Sequence, residues 1–193
     1  MLLANISKSM VVLSVLAPCA VGAQNVAVLK DQIALMEDAK SGHAAGIARK
    51  TKQVDARPAK PGEIVITFIN GQGVETRSKP AEEGDWVVRN RCEETGNEEI
   101  LVKSARFPER YGKPLSEADK YGYQAFKPIG SDMNYFIVPE EMGFFYFMAP
   151  WGERMIASPG DAIVQVASDK SDTYRVAEAA FKCTYEIVTP AKS

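Results

Sequence analysis

The chain has 193 residues, of which 46% are hydrophobic and 25% are charged, and its formal net charge is −2. These are ordinary values for a globular protein of one medium domain or two small ones, with enough apolar material for a real core. The slightly acidic balance excludes the overall basic field on which many nucleic-acid-binding proteins rely. Beyond the N-terminus, no apolar run approaches the roughly 20 residues that a membrane-spanning helix needs.

The first 23 residues are typical of an export signal. Lys8 supplies positive charge, residues 10–17 form an apolar segment, and small residues precede a predicted cleavage site between Ala23 and Gln24. The alternatives are a buried N-terminal helix and an uncleaved membrane anchor, but Pro18 interrupts a segment already too short for an anchor. The sequence therefore predicts a bacterial protein that is periplasmic or secreted, with no membrane span after signal removal.

Residues 24–60 differ in composition from the rest of the chain. Apolar residues recur at helical spacing up to about Lys40, and the Ser41-Gly42 pair predicts the end of one short helix. Residues 44–60 are rich in Ala, Lys and Arg, which predicts a mobile basic linker. In the alternative interpretation, the basic side chains of this segment contact anionic lipid or a cell-wall polymer. These side chains are Arg49, Lys50, Lys52, Arg57 and Lys60.

Short runs of β-branched and aromatic residues separated by Gly and Pro turns begin after residue 60. The first run, residues 63–69, leads into an Asn70-Gly71 turn and a return strand over residues 74–77. Comparable runs continue to residue 190. The predicted fold class is therefore mainly β, a β-rich α+β domain over residues 61–190. We expect it to form a small barrel or sandwich preceded by the short N-terminal helix.

Two stretches within this domain, residues 80–112 and 147–188, share one order of features. Each has a Gly-Asp corner, an apolar strand, a polar loop, a returning strand and a closing Phe-x-x-x-Tyr. We therefore expect a duplicated hairpin unit whose two copies pack on each other, because neither is large enough to hold a core alone. The corners are Gly84-Asp85 and Gly160-Asp161, and the closing pairs are Phe107 with Tyr111 and Phe181 with Tyr185.

Cysteine usage fits export. Cleavage after residue 23 removes Cys19 and leaves Cys92 and Cys183. An even count in an exported protein permits one disulfide, and a loop of this length would stabilise the fold by about 4 kcal/mol in the chain-entropy model. The alternative is two separate buried thiols, and the sequence leaves both open.

Asp85 and Asp161 follow glycine at matching places, and two explanations apply. In the first, the two carboxylates act with Glu153 as the acid, base or cation ligands of a glycan-type hydrolase. In the second, each Asp accepts hydrogen bonds from turn N–H groups, and the glycine supplies an unusual backbone angle. The second is favoured, because a turn requirement produces the same two residues at the start of both strands.

The sequence lacks the residue combinations that other catalytic sites and cofactor sites need. His43 is the single histidine and lies outside the predicted β domain, so a Cys–His or Ser–His–Asp site would need it to fold back. Two cysteines 91 residues apart have no zinc-ligand spacing, and no phosphate-binding loop or dinucleotide fingerprint occurs. The sequence predicts no metal and no cofactor, and it leans against an enzyme.

The segment from Trp151 to Glu153 is the most distinctive short run. An exposed indole there could stack on a sugar ring or a cation, or it could cap one end of the core. The predicted function is binding of an envelope ligand or protein, without nucleic acid, near the aromatic residues 144–147. The alternatives are the hydrolase described above and an inhibitor or immunity-type protein of an envelope enzyme. The expected binding residues are Trp151, Glu153, Arg154 and Tyr146.

Residues 147–188 resemble the small bacterial PGDYG-type domain, and residues 80–112 resemble it more weakly. Ala162 stands where the family's name expects Tyr, and Glu83 replaces the Pro in the weaker copy. The resemblance implies a small bacterial domain without a characterised activity. The matching positions are Pro159-Gly160-Asp161, Ile163-Val164, Tyr174-Arg175-Val176, and Phe181 with Tyr185.

Overall fold

The computed structural model describes residues 28–192, so the predicted signal peptide lies outside the described residues. Within this range the chain is mainly β, with three α-helices and a sandwich-like arrangement of sheets that do not close into a barrel. The predicted β-rich fold with a short N-terminal helix is confirmed, as a sandwich-like form. No helix of residues 28–192 is long and apolar enough to cross a membrane.

The strands and helices in chain order are β1 (Val28–Leu29), α1 (Gln32–Ser41), β2 (Gly46–Lys50), β3 (Val54–Pro58), β4 (Ile66–Ile69), β5 (Gly73–Arg77), β6 (Trp86–Asn90), β7 (Glu99–Val102), α2 (Phe107–Arg110), β8 (Tyr111–Pro114), β9 (Gln124–Pro128), β10 (Met133–Ile137), β11 (Phe145–Met148), β12 (Arg154–Ala157), β13 (Ala162–Val166), β14 (Asp169–Val176), α3 (Glu178–Thr184) and β15 (Tyr185–Thr189).

Two five-stranded antiparallel sheets have the same connectivity in four of their five strands. The first sheet has the order β7-β6-β3-β9-β8, and the second has the order β14-β13-β10-β2-β15. In each, a central strand is followed by a small hairpin outside the sheet, then by a hairpin within it, a helix and an edge strand. The sheets differ in one strand: β9 follows β8 along the chain, whereas the equivalent place in the second sheet is filled by β2 from the N-terminal region.

The Phe-x-x-x-Tyr pairs mark the same junction in both sheets. Phe107 lies in α2 and Tyr111 begins β8, while Phe181 lies in α3 and Tyr185 begins β15. Each tyrosine directly follows the helix, and its ring meets that of the phenylalanine four residues earlier, with centroids 5.1 and 5.0 Å apart respectively. Each phenylalanine then packs into the hydrophobic core of its own sheet.

Helix α1 covers a third cluster that links the second sheet to the β11–β12 hairpin. Asp31 caps the helix by accepting hydrogen bonds from the N–H groups of Ile33 and Ala34, at 2.8 and 3.1 Å. Met36 on its inner face is fully buried against Phe145 and Phe147. The helix thereby fixes the hairpin on the body of the protein.

The linker predicted for residues 44–60 is wrong. This segment supplies β2 and β3, the first pairing with β10 and β15 and the second with β6 and β9. Small inward-facing residues, Ala48 and Ala56, are fully buried. The β domain therefore does not begin at residue 61. The basic side chains are also engaged, since Arg49 pairs with Asp132 and Arg57 with Glu63.

The Arg57–Glu63 pair gives a pH-dependent contribution to stability. The hydrogen bonds from Arg57, set against a smaller opposing effect of burial, lower the pKa of Glu63 to about 2 from its ordinary 4.5. The folded state holds this carboxylate ionised, so its contribution is complete above pH 4.5 and is lost as the pH falls towards 2. We expect Glu63→Gln to lower the free energy of unfolding by about 1–3 kcal/mol at neutral pH and by much less near pH 2.

Urea unfolding of the wild type and of Glu63→Gln across this pH range measures the effect. Glu83→Gln is the matched control, because Glu83 is an exposed glutamate in the loop between β5 and β6. It should give a small, pH-independent difference in the free energy of unfolding. A Glu63→Gln difference that stays constant with pH would contradict the assignment.

The two sheets are joined by their cysteines. Cys92 precedes a 3-10 turn, Glu93–Thr95, in the β6–β7 connection, and Cys183 lies on α3. The structure places the pair as a disulfide with a Cα–Cα distance of 6.0 Å, which is within the usual range. The bridge ties the β6–β7 loop of the first sheet to α3, which follows the β13–β14 hairpin of the second sheet.

Candidate functional site

The outer face of the β11–β12 hairpin carries two of the predicted binding residues, Tyr146 and Arg154. Along β11 the side chains alternate, so Phe145 and Phe147 are buried while Phe144 and Met148 are exposed. The predicted aromatic surface of residues 144–147 is therefore divided between the core and the solvent. Tyr146, half-buried, belongs to the outward set.

A row of apolar side chains crosses this face from strand to strand. Tyr146 is in register with Leu29 of β1 on one side and with Ile156 of β12 on the other. Residues in register across neighbouring strands project from the same face of a sheet, so the three side chains lie side by side. Leu29 and Ile156 are both exposed, and with Met148 they extend the predicted site into a continuous apolar surface. We call this set, Leu29, Phe144, Tyr146, Met148 and Ile156, the hairpin face.

Arg154 lies over the hairpin face. Its guanidinium is 4.4 Å from the centre of the Tyr146 ring, a cation–π contact that holds both side chains in place. Arg154 itself is exposed, so its charge is available to a partner. Arg154 and Tyr146, both predicted binding residues, are therefore neighbours in the structure.

Trp151 lies at the tip of the same hairpin. Its indole N–H donates to the Glu153 carboxylate at 3.2 Å, and its ring centre is 6.1 Å from that of Tyr174 in β14. The side chain is 43% exposed, so one side of the indole packs on the second sheet and the other faces solvent. Trp151 thus combines both alternatives: it caps one end of the core and keeps part of its ring exposed. The Glu153 carboxylate already accepts a hydrogen bond from this indole.

The two Gly-Asp corners are built alike, and neither carboxylate is accessible. Asp85 and Asp161 are both 1% exposed. Each accepts from the N–H three residues earlier, from an N–H beyond the returning strand, and from a basic side chain near that strand's end. Gly84 and Gly160 have φ of 85° and 89°, the left-handed region that glycine tolerates best. This is the turn geometry that the second explanation expects.

The corners differ in the burial of their cation. Asp85 receives its basic contact from Lys103, whose side chain is 46% exposed, at 2.9 Å. Burial raises the pKa of Asp85, but hydrogen bonds from the Glu82 N–H, from Lys103 and from the Ser104 N–H outweigh it and hold the pKa below its ordinary value. Asp161 is instead paired with Arg175, whose side chain is only 3% exposed, at 2.9 Å.

Arg175 connects the second corner to the β4–β5 hairpin of the first half of the chain. Its guanidinium also contacts the carboxylate of Glu75, and it donates to the side-chain oxygen of Gln72 at 2.7 Å. Burial raises the pKa of Glu75, and the nearby Arg175 opposes that rise. The charges of this buried network are satisfied within the protein, which argues against a catalytic role for Asp161.

Sequence reasoning identified Tyr146, Trp151, Glu153 and Arg154 but missed the partners that make them a surface. Leu29 lies in the segment predicted to be helical, and Ile156 lies beyond the predicted aromatic surface. The two-residue period of β11 and β12, outward at Tyr146 and Met148 and at Arg154 and Ile156, is the signal that predicts the face.

Comparisons with protein-family models, with curated proteins and with solved structures find no match to this chain. The resemblance to the PGDYG-type domain therefore stays a prediction from the motif at Pro159-Gly160-Asp161 and the residues that follow it.

Proposed function

We propose that this protein is an exported, non-catalytic binding module of the bacterial cell envelope, and that it binds a partner protein through the hairpin face. The observation that carries the proposal is the in-register row of Leu29, Tyr146 and Ile156, on the outer face of a sheet whose inner face shares a hydrophobic cluster with α1. Exposed contiguous apolar surface on a soluble domain marks interaction sites.

The composition of the face supports a protein partner. Tyr, Trp, Met and Arg are residue types enriched where proteins meet. Tyr146 and Met148 belong to the hairpin face, Arg154 stacks on Tyr146, and Trp151 lies at the tip of the same hairpin. The side chains are rigid for an exposed site, because Arg154 stacks on Tyr146 and Trp151 is tied to Glu153. A preordered surface loses little conformational entropy on binding.

The hydrolase alternative receives little support from the geometry. It requires Asp85, Asp161 and Glu153 to face a substrate, but the first two are buried in turn hydrogen bonds and ion pairs. Glu153 accepts from the Trp151 indole. Export is supported by the N-terminal sequence pattern and by a disulfide, a bond that persists in oxidising compartments.

We further infer that the two sheets are an internal repeat. Their shared connectivity, the matching Gly-Asp corners at Asp85 and Asp161, and the matching Phe-x-x-x-Tyr junctions support a duplicated unit. On this basis the β4–β5 hairpin is the counterpart of the β11–β12 hairpin that bears the hairpin face.

Site-specific photocrosslinking tests the proposed binding surface. A photoreactive phenylalanine analogue replaces Met148 on the hairpin face or Ile187 on β15, side chains of nearly equal exposure at 46% and 47%. After ultraviolet irradiation in the envelope fraction, we expect a discrete adduct with a protein from position 148 alone. Arg154→Glu should reduce its yield at least tenfold, since reversed charge beside Tyr146 removes the cation contact.

Equal adducts at both positions, or none at either, would contradict the proposal. Adducts to a glycan would assign the surface to the sugar-binding alternative, and the protein partner would be rejected. If the captured protein is an enzyme, its activity with and without the purified chain decides whether the binding is inhibitory.

A further inference from the structure

We infer that Cys92, Cys183 and Glu94 form a redox-gated site for Zn²⁺, available when the disulfide is reduced. The two sulfurs and a Glu94 carboxylate oxygen all lie within 4.8 Å of one another. Glu94 Oε2 is 3.2 Å from Cys92 Sγ and 3.4 Å from Cys183 Sγ, so one carboxylate oxygen already faces both sulfurs. Two thiolates and one carboxylate are ligand types that Zn²⁺ takes.

The surroundings provide both rigidity and access. Cys92 is fully buried at the start of the 3-10 turn, while Cys183 is half-buried on α3. A surface pocket of about 330 Å³ lies beside the sulfur of Cys183 and is lined by Glu94, Glu178, Ala179, Lys182 and Cys183. Solvent in this pocket can supply the fourth ligand that a tetrahedral zinc site needs. Two Zn–S bonds of about 2.3 Å in a tetrahedral site place their sulfurs roughly 3.8 Å apart, which is within the 4.8 Å that encloses the three ligand atoms here.

Charge favours the site only in the reduced state. A dithiol reductant breaks the S–S bond by giving two electrons and two protons, leaving two thiols while it becomes a disulfide itself. Zn²⁺ then displaces both thiol protons to solvent as two Zn–S bonds form. Two thiolates and the Glu94 carboxylate carry three negative charges, which Zn²⁺ and the ammonium of Lys52, 3.3 Å from Cys183 Sγ, balance. The disulfide sulfurs carry no charge and bind zinc poorly.

The 91-residue separation of the two cysteines conceals this site from a search for closely spaced ligands. The short range from Cys92 to Glu94 supplies two ligands from one turn, and α3 brings the third. The site would therefore hold the two halves of the chain together by coordination where the disulfide had held them covalently.

Cobalt titration of the full mature chain tests the inference. The protein is reduced with a phosphine, freed of it by gel filtration without oxygen, and titrated with Co²⁺, a spectroscopic substitute for Zn²⁺. We expect one equivalent to give thiolate-to-cobalt charge transfer and the intense visible bands of tetrahedral Co²⁺, both bleached by Zn²⁺. Cys183→Ser should lose the charge-transfer signal, and Glu94→Gln should weaken binding at least tenfold. Glu93→Gln, altering the exposed neighbour in the same turn, should bind as the wild type does.

The oxidised protein is the second control and should show no tetrahedral bands. Absence of these bands from the reduced, folded protein overturns the inference, as does equal binding by Glu94→Gln and the wild type. Circular dichroism is recorded in parallel. If reduction unfolds the chain and one equivalent of Zn²⁺ does not restore the native spectrum, the inference is overturned as well.

Discussion

Replacing Asp161 by Ala is expected to lower the free energy of unfolding by about 3–4 kcal/mol, although the residue is not part of the proposed binding face. The substitution removes the acceptor of two hydrogen bonds from Arg175 and leaves that cation buried with Glu75 as its remaining ionic partner. It also leaves the N–H groups of Ser158 and Glu178 without the carboxylate that accepts from them. Breaking one side of a buried ion pair is among the most costly single changes in a protein.

Asp85→Ala is the matched control, because the same corner occurs there with an exposed cation. Lys103 can turn to water when its partner is removed, so the expected loss is smaller, roughly 1–2 kcal/mol. Urea unfolding of both variants at neutral pH measures the difference. A double variant, Asp161→Ala with Arg175→Met, should lose more than Asp161→Ala alone, because it also leaves the Glu75 carboxylate buried without its cation. Equal losses at the two corners would show that the buried arginine is not the deciding factor.

Removing the Cys92–Cys183 bridge is expected to lower the free energy of unfolding by about 4 kcal/mol in the chain-entropy model. The bond spans 91 residues, so its loss releases a long loop in the unfolded chain while the folded contacts of α3 stay available. The measurement is urea unfolding of a Cys92→Ser, Cys183→Ser double variant against the oxidised wild type. Wild type treated with a phosphine should unfold at the same urea concentration as this variant.

Mass spectrometry of the mature protein provides the companion measurement. Without reductant and with a thiol-alkylating reagent, both cysteines should stay unmodified; after reduction both should be alkylated. The same spectrum reports whether cleavage has occurred between Ala23 and Gln24. Alkylation without prior reduction would mean two free thiols, and the expected stabilisation would then be absent.

The sequence was most informative where backbone geometry limits the choice of residue. Gly84 and Gly160 precede Asp85 and Asp161 because a positive φ and a carboxylate acceptor are both needed there, and such local requirements are readable without coordinates. The repeated Phe-x-x-x-Tyr spacing likewise marks two local junctions, at Phe107 and Phe181, where the rings meet as each helix ends. What could not be read was the identity of the strands that those units would pair with.

The strands β2 and β3 show why. Their inward positions hold Ala48 and Ala56, which are small, and their outward positions hold charged residues such as Arg49 and Asp55, so neither hydrophobicity nor β-propensity is high. Their conformation is determined by the backbone hydrogen bonds of neighbours on both sides, which are remote in sequence. Composition alone thus favoured a linker. The hairpin face was incompletely predicted for a related reason, since Leu29 joins it only through pairing with Tyr146.

The placement of β2 in the second sheet also has a consequence for the order in which the protein can fold. Ala48 pairs with Met133 on one side and with Ile187 on the other, partners 85 and 139 residues further along. A chain emerging from the ribosome carries this early strand without its first neighbour until β10 is synthesised, and without its second until β15, near the end of the chain. Topologies rich in such distant contacts fold slowly. Under the proposed export, late completion of the sheet leaves time for the polypeptide to be threaded through a translocation pore before its structure becomes too stable to pass.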